Sequence, residues 1–162
     1  MAEDRDVQLP FSKMFQIGVI VRDMDAAMAY YASLGIGPFE ERRGPGATER
    51  TLYGQPAGDI QLRVSTAPMG PVQLELIQPV GGRSVQADFL ATHGEGINHL
   101  GFIVRDCQAA VRTLREQGFQ VVTGGKIPGG GEFAYIDTDR TGGVVFELVQ
   151  PPPPPKPGGS SG

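Results

Sequence analysis

Polar and apolar positions alternate along this chain in two long stretches that follow one pattern. Sliding the sequence against itself by 83 positions lays QIGVIVRDMDAAMAYYASLG, which begins at Gln16, on HLGFIVRDCQAAVRTLREQG, which begins at His99, without a gap. Gly18/Gly101, Ile20/Ile103, Val21/Val104, Arg22/Arg105, Asp23/Asp106, Ala26/Ala109, Ala27/Ala110 and Gly35/Gly118 are identical pairs. Further on, VQLELIQP from Val72 overlies VVFELVQP from Val144 at an offset of 72. Self-similarity of this kind marks a duplicated structural unit. The first copy is longer by 11 residues between these landmarks, and the glycine- and proline-rich stretch at 44–59 is the natural place for the excess. That stretch is expected to be a lid or an interface loop.

Each copy predicts the same succession of elements. A β-branched, apolar run (Ile17 to Val21; Leu100 to Val104) reads as a buried strand. Asp23 and Asp106 then stand where a helix N-cap accepts free backbone N–H groups. Met24, Ala27, Met28, Tyr31 and Leu34 recur at helical spacing, as do Cys107, Ala110, Val111 and Leu114. Gly35 and Gly118 suit the left-handed residue that ends a helix. PFEERR, DIQLRVS and VQLELIQ follow as strands in the first copy, and FQVVT, EFAYIDT and VVFELVQ in the second. SVQADFLATHGEG reads as a connecting helix capped by Ser84 and stopped at Gly94 or Gly96. The expected class is α+β: two tandem βαβββ modules forming a half-open, curved mixed β-sheet around a central site. Module one covers 14–79, the linker helix 84–93 and module two 97–150, together one domain over 14–150. Residues 1–13 are expected to be a loose N-terminus, and 151–162, beginning PPPPPKPGG, a disordered Pro/Gly tail.

The strand pattern is broken at four polar positions. Gln16 and His99 open the equivalent first strands, each followed on the same face by a glycine. Glu75 and Glu147 interrupt last strands that are otherwise strongly apolar. A carboxylate in such a strand costs several kcal/mol, on the order of what a buried unpaired charge costs, unless water, a cation or a metal meets it. The repeat relates Gln16 to His99 and Glu75 to Glu147 about a local two-fold. The four can therefore converge as three oxygen donors and one nitrogen, a set that suits a divalent ion such as Zn, Co, Ni, Mn or Mg. His93, at the end of the linker helix, fits interaction with the helix dipole instead.

Composition adds mainly exclusions. The net charge is −4 and the arginines are scattered, which does not suit nucleic acid or an anionic membrane. No apolar run approaches a bilayer span, and the acidic start MAEDRD lacks the order of a signal peptide, so a cytoplasmic protein is expected. The single Cys107 builds neither a disulfide nor a cysteine metal site.

A duplicated βαβββ unit with a polar residue opening each first strand and a glutamate in each last strand resembles the vicinal oxygen chelate group, which gathers glyoxalases, bleomycin-resistance proteins and extradiol dioxygenases. Within it, HGEGINHLGFIVRD, GGVVFELVQP and the linker SVQADFLATHGEG look closest to the methylmalonyl-CoA epimerases. The resemblance places the metal ligands at Gln16, Glu75, His99 and Glu147. It departs at Gln16, where the epimerases and dioxygenases usually carry histidine; Gln/Glu/His/Glu is similar to animal-type glyoxalase I. An Fe(II) oxygenase wants two histidines and a carboxylate, so redox chemistry is disfavoured. The resemblance implies a divalent-metal-dependent isomerase or epimerase, with Glu147 and Glu75 as catalytic carboxylates abstracting and returning an α-proton of a small carbonyl or thioester substrate. A glyoxalase I-like lactoylglutathione lyase and a metal-free drug- or metabolite-binding protein are the alternatives. A homodimer is implied, with the site formed within one subunit or between two.

Overall fold

The computed structural model describes residues 11–43 and 46–155, so most of the N-terminal segment and the end of the tail lie outside the described residues. The first copy contains β1 (Met14–Ile20), α1 (Met24–Ser33), β2 (Glu40–Glu41), β3 (Thr48–Leu52), β4 (Gln55–Pro56), β5 (Gln61–Met69) and β6 (Val72–Gly81). The linker helix α2 spans Val85–His93. The second copy contains β7 (Gly96–Ile103), α3 (Cys107–Glu116), β8 (Val121–Ile127), β9 (Gly131–Ile136) and β10 (Val145–Gln150).

All strands belong to one 10-stranded mixed sheet in the order β2-β5-β6-β1-β7-β10-β9-β8-β3-β4. The two copies meet at its centre, where β1 and β7 pair antiparallel. Within each copy the first strand runs parallel to the last, in the same register: Gly18 lies beside Glu75, and Gly101 beside Glu147. Residues equivalent in the sequence repeat thus hold equivalent places in the strand pairing.

The caps form as the polar pattern predicts. Asp23 accepts from the Ala26 N–H at 2.9 Å and Asp106 from the Ala109 N–H at 2.8 Å. A second pair of side chains joins them, which the sequence reading did not assign. Gln78 Oε1 accepts from the Met24 N–H at 3.0 Å, and Gln150 Oε1 from the Cys107 N–H at 2.9 Å. The glutamine of each repeated Gln-Pro pair therefore ties the end of its last strand to the first residue of its own helix. Gly35 and Gly118 take φ of +82° and +86°, which leaves the chain free to turn back towards the sheet.

The helices cover the outer face. Val19, Val21, Met24, Leu74 and Leu76 form one core cluster beneath α1, and Val104, Cys107, Val111, Leu114, Ala134, Ile136 and Leu148 form its counterpart beneath α3. Leu76 and Leu148, equivalent in the repeat, are both fully buried. Truncating either to alanine costs about 2–5 kcal/mol by loss of apolar contact and cavity formation. Leu34, expected on the buried stripe of α1, is instead exposed at the helix C-cap, and Ile36 and Phe39 beyond the turn pack on this cluster. A third cluster of Ile20, Val64 and Ile77 lies on the inner face, capped by Phe89 and Leu90 of α2. The linker helix thus closes one end of the concavity.

The excess length of the first copy is no free loop. Residues 48–56 form the β3–β4 hairpin, and β3 pairs antiparallel with β8, the outer strand of the second copy. Chain that leaves β2 at one edge of the sheet therefore returns as β3 towards the opposite edge. PFEERR yields only the two-residue β2, Glu40–Glu41, extended by the bond of the Arg42 N–H to the Val64 carbonyl at 2.8 Å.

Candidate metal and proton-transfer site

Gln16, Glu75, His99 and Glu147, singled out from the sequence, come together at the middle of the inner face within a single chain. All are buried, His99 completely. Its Nε2 lies 3.4 Å from Gln16 Oε1, 3.4 Å from Glu75 Oε2 and 3.3 Å from Glu147 Oε2. The strands that position them alternate two by two: β6 and β10 bring the carboxylates from outside, while β1 and β7 bring Gln16 and His99 from the central seam.

Two glycines make the convergence possible, and each serves the other copy's polar residue. Gly18 lies across from His99 in the β1–β7 pairing, and Gly101 across from Gln16. A Cβ on Gly18 would overlap the His99 ring, and one on Gly101 would lie 3.0 Å from Gln16 Cβ. The amide of Gln16 is held by Gln73, whose Oε1 accepts from Gln16 Nε2 at 2.8 Å and so turns Gln16 Oε1 towards His99. On the other side of the imidazole, Nδ1 lies 3.3 Å from the Tyr135 hydroxyl, which Gln86 Nε2 approaches at 3.5 Å.

Burial alone would push the His99 pKa down. Hydrogen bonds and charges from Glu147 and Glu75 outweigh it and carry the pKa up to about 9. Burial pushes the Glu147 carboxyl up, against the opposing pull of His99. Burial likewise raises the Tyr135 hydroxyl well above its ordinary value. Both shifts at the His99–Glu147 pair say the same thing: the cluster retains a proton that isolated groups would release. As the side chains stand, no group of three or more His, Cys, Asp and Glu among the described residues is arranged as a metal centre. Glu75 and Glu147 face the His99 ring as acceptors of its Nε2 proton.

Gln73, Tyr135 and Gln86 were not among the candidates from sequence. The first two carry a readable signal, since Gln73 sits two residues before Glu75 on the same strand face and Tyr135 lies directly across from Glu147. Two arginines were also missed. Arg42 Nη2 donates to Glu75 Oε1 at 3.2 Å, and Arg50 of β3 stands over the Phe133 ring at 5.6 Å. Cys107 takes no part: it is buried under α3, and burial pushes its thiol up to about 11. His93 stacks on Phe89 at the end of α2, remote from the cluster in role.

Residues 15–135 match the Glyoxalase/Bleomycin resistance protein/Dioxygenase superfamily. The chain belongs to this superfamily. Among solved structures of similar fold is a methylmalonyl-CoA epimerase from Mycobacterium tuberculosis, 28% identical, with a TM-score of 0.66 over 89% of this chain and 91% of that one. A variant of the Streptomyces coelicolor methylmalonyl-CoA epimerase, in complex with 2-nitronate-propionyl-CoA, is 22% identical, with a TM-score of 0.65 over 86% and 97% of the two chains. In sequence, the chain is 25% identical to the uncharacterized protein YqjC of Bacillus subtilis (strain 168), over 86% of this chain and 93% of that protein. The paired βαβββ modules and mixed sheet are those expected of the superfamily. No helix among the described residues is long and apolar enough to cross a membrane.

Proposed function

We propose that this superfamily member is a divalent-metal-dependent isomerase or epimerase that moves an α-proton of a carbonyl substrate, with a thioester related to methylmalonyl-CoA as the leading candidate. The observation that carries this reading is the environment of His99 Nε2. One N–H faces three oxygens at 3.3–3.4 Å, longer than the roughly 2.7–3.2 Å of a good N–H···O bond. Contacts of this length leave room at the centre of the four side chains for a small cation, which one nitrogen and three oxygens suit. Gln16, Glu75, His99 and Glu147 would hold the ion, and Tyr135 and Gln73 would orient His99 and Gln16. When bound, it supplies Lewis-acid stabilisation of negative charge on the substrate's carbonyl oxygen.

The chain's own residues account for the proton. Glu147 takes the α-proton on one face of the substrate; the C–H electron pair passes to the carbonyl oxygen as the enolate forms. Burial raises the basicity of Glu147, as a general base requires. Glu75, related to it by the repeat, passes a solvent-derived proton to the enolate carbon from the opposite side, the C=O re-forms with inversion of the centre, and Glu147 releases its proton to solvent. Arg42 holds the Glu75 carboxylate at the edge of the site. Helix α2 and the inner cluster of Ile20, Val64 and Ile77 keep water from one end.

Gln16 favours a second substrate for the same chemistry, a glutathione hemithioacetal, because an amide oxygen replaces the histidine usual in epimerases. Incubating acyl-CoA thioesters and hemithioacetals with the protein in D₂O, followed by NMR, tests both. Deuterium at the α-carbon of a thioester supports the epimerase; deuterium in a lactoyl thioester supports the lyase. Absence of exchange with every candidate, together with less than about a tenth of an equivalent of bound ion after purification without chelator, would leave a ligand-binding protein instead.

A further inference from the structure

The duplication lets one half of the site serve as a control for the other, and the two flanks differ. On the first-copy side lies an open cavity of about 360 Å³, lined among others by Phe15, Pro38, Glu40, Thr66, Pro71 and Gln73. It belongs to the inner face. Thr66 lies across from Glu75, and Glu40 across from Thr66; partners in such a ladder share a face. Gln73 stands on that face two residues before Glu75, and its Oε1 accepts from Gln16 Nε2 at 2.8 Å. Phe15 reaches the same side, since its Cε1 comes as close to a Cβ on Gly101 as Gln16 Cβ does, 3.0 Å. Gln73 is therefore a wall common to the cavity and to the cluster around His99.

In the second copy the equivalent place is filled. The repeat lays Asn98 on Phe15. Strand pairing sets Tyr135 in the place of Thr66 and Thr123 in that of Glu40, because Tyr135 lies across from Glu147 and Thr123 across from Tyr135. Asn98, Thr123 and Tyr135 are all buried, and the Tyr135 hydroxyl turns to His99 and Gln86. Glu40 is exposed, and Phe15 and Thr66 are half-buried. A molecule that extends beyond the cluster thus finds room on the first-copy side, where a threonine stands in place of a tyrosine. The chemistry of the cavity selects what enters. Its size falls in the range of about 300–1,000 Å³ usual for small-molecule sites, and aromatic and proline walls suit an apolar occupant. Pro38 and Pro71 have no backbone N–H to offer an anion, and the Glu40 carboxylate repels one.

We infer that this cavity is a subsite for an uncharged, apolar chain that the substrate carries beyond its reacting carbonyl, and that Thr66 keeps it open. The inference deepens the proton-transfer reading and rests on it for what the chain is attached to. It also gives the substrate a direction: the chain lies over the first copy, away from Tyr135. The cavity is a binding property, tested without turnover or ion. The neutral dye N-phenylnaphthylamine and its sulfonated counterpart, anilinonaphthalene sulfonate, share a fluorescent skeleton and differ in charge. Fluorescence titration of the full chain, with chelator present, is expected to show the neutral dye binding at least about tenfold more tightly than the anionic one. Thr66→Tyr gives the first copy the residue of the second, and is expected to weaken the neutral dye at least about tenfold while the circular dichroism spectrum stays that of wild type. Glu40→Gln is expected to narrow the preference for the neutral dye by about threefold or more, and it decides the matter should Thr66→Tyr fold poorly. Equal affinity for the two dyes overturns the subsite. So does neutral-dye affinity unchanged in a folded Thr66→Tyr, or, without that variant, a preference unchanged in Glu40→Gln. A protein that binds the dye in this cavity but puts deuterium into no thioester or hemithioacetal keeps the cavity as a binding site and loses the proton-transfer reading. One that exchanges deuterium while its Thr66→Tyr form binds the dye like wild type does the reverse.

Discussion

The His99 imidazole occupies the space in which a side chain on Gly18 would begin: a Cβ built there falls 1.9 Å from His99 Cε1. The histidine of the second copy thus depends on a glycine of the first, and the two are partners across the central seam. Gly18→Ala is expected to cost about 1–3 kcal/mol or more, because the ring is fully buried and its neighbours fix it. For a domain of this size that lowers the melting temperature by about 2–4 °C per kcal/mol. Gly101→Ala meets only Gln16 and Phe15 side chains at 3.0 Å, which can shift, so a smaller loss is expected. Thermal melts of the two variants check the order. Equal melting temperatures would mean that His99 is not held where the geometry puts it.

The protonation of His99 gives metal-free protein a pH signature. Its folded-state pKa of about 9 lies above the ordinary 6.5. Stabilisation from the imidazolium is therefore present in full below pH 6.5 and lost as the pH rises through about 9. The difference amounts to roughly 3 kcal/mol at most. Urea unfolding with chelator, run from about pH 6 to about pH 10, should show wild-type stability falling relative to His99→Gln. Parallel curves would remove the coupling between His99 and the two glutamates.

Gln78 and Gln150 make equivalent bonds to the first helical N–H of α1 and α3. Loss of either is expected to cost about 1 kcal/mol, the usual worth of a helix-terminal bond. The two losses should be alike, because Met24 and Cys107, whose N–H groups are freed, are both almost entirely buried. Chemical denaturation of the two alanine variants measures this directly. Wild-type stability in both would show that water replaces the glutamine oxygen without penalty.

Much of this was legible because duplication writes tertiary information into one chain. The alignment that lays Gln16 on His99 and Glu75 on Glu147 names residues that hold equivalent places in the sheet: Gln16 faces Gly101 as His99 faces Gly18, and each first strand meets its last in the same register. The arginines were not legible for the same reason in reverse. Arg42 and Arg50 lie in or beside the stretch by which the first copy is longer, so no second copy marks their place. Their arrival depends on β3 pairing with β8, a contact between distant segments that no local pattern encodes. Gln73 escaped for a subtler reason. Its counterpart is Val145, and at this position the two halves of the site differ in chemistry.

That difference makes Gln73 a sharp test of the proposed ion. Gln73 Oε1 takes one proton of the Gln16 amide and so decides which end of that amide faces His99. Replacing Gln73 with valine, the residue the second copy carries in the same register, should leave the strand intact while freeing the amide to rotate. Stability is then expected to change by less than about 1.5 kcal/mol. Affinity for a divalent ion should fall about 10- to 100-fold, as it does when an outer partner of a ligand is removed. Competition against a chromophoric chelator reads this without any substrate. Gln16→His is the complementary variant, since it restores the ligand usual among epimerases and no longer needs Gln73; in that background Gln73→Val should have little effect on affinity. If Gln73→Val leaves ion affinity unchanged in the wild-type background, Gln16 is not a ligand, and the oxygen facing His99 serves only to accept its proton.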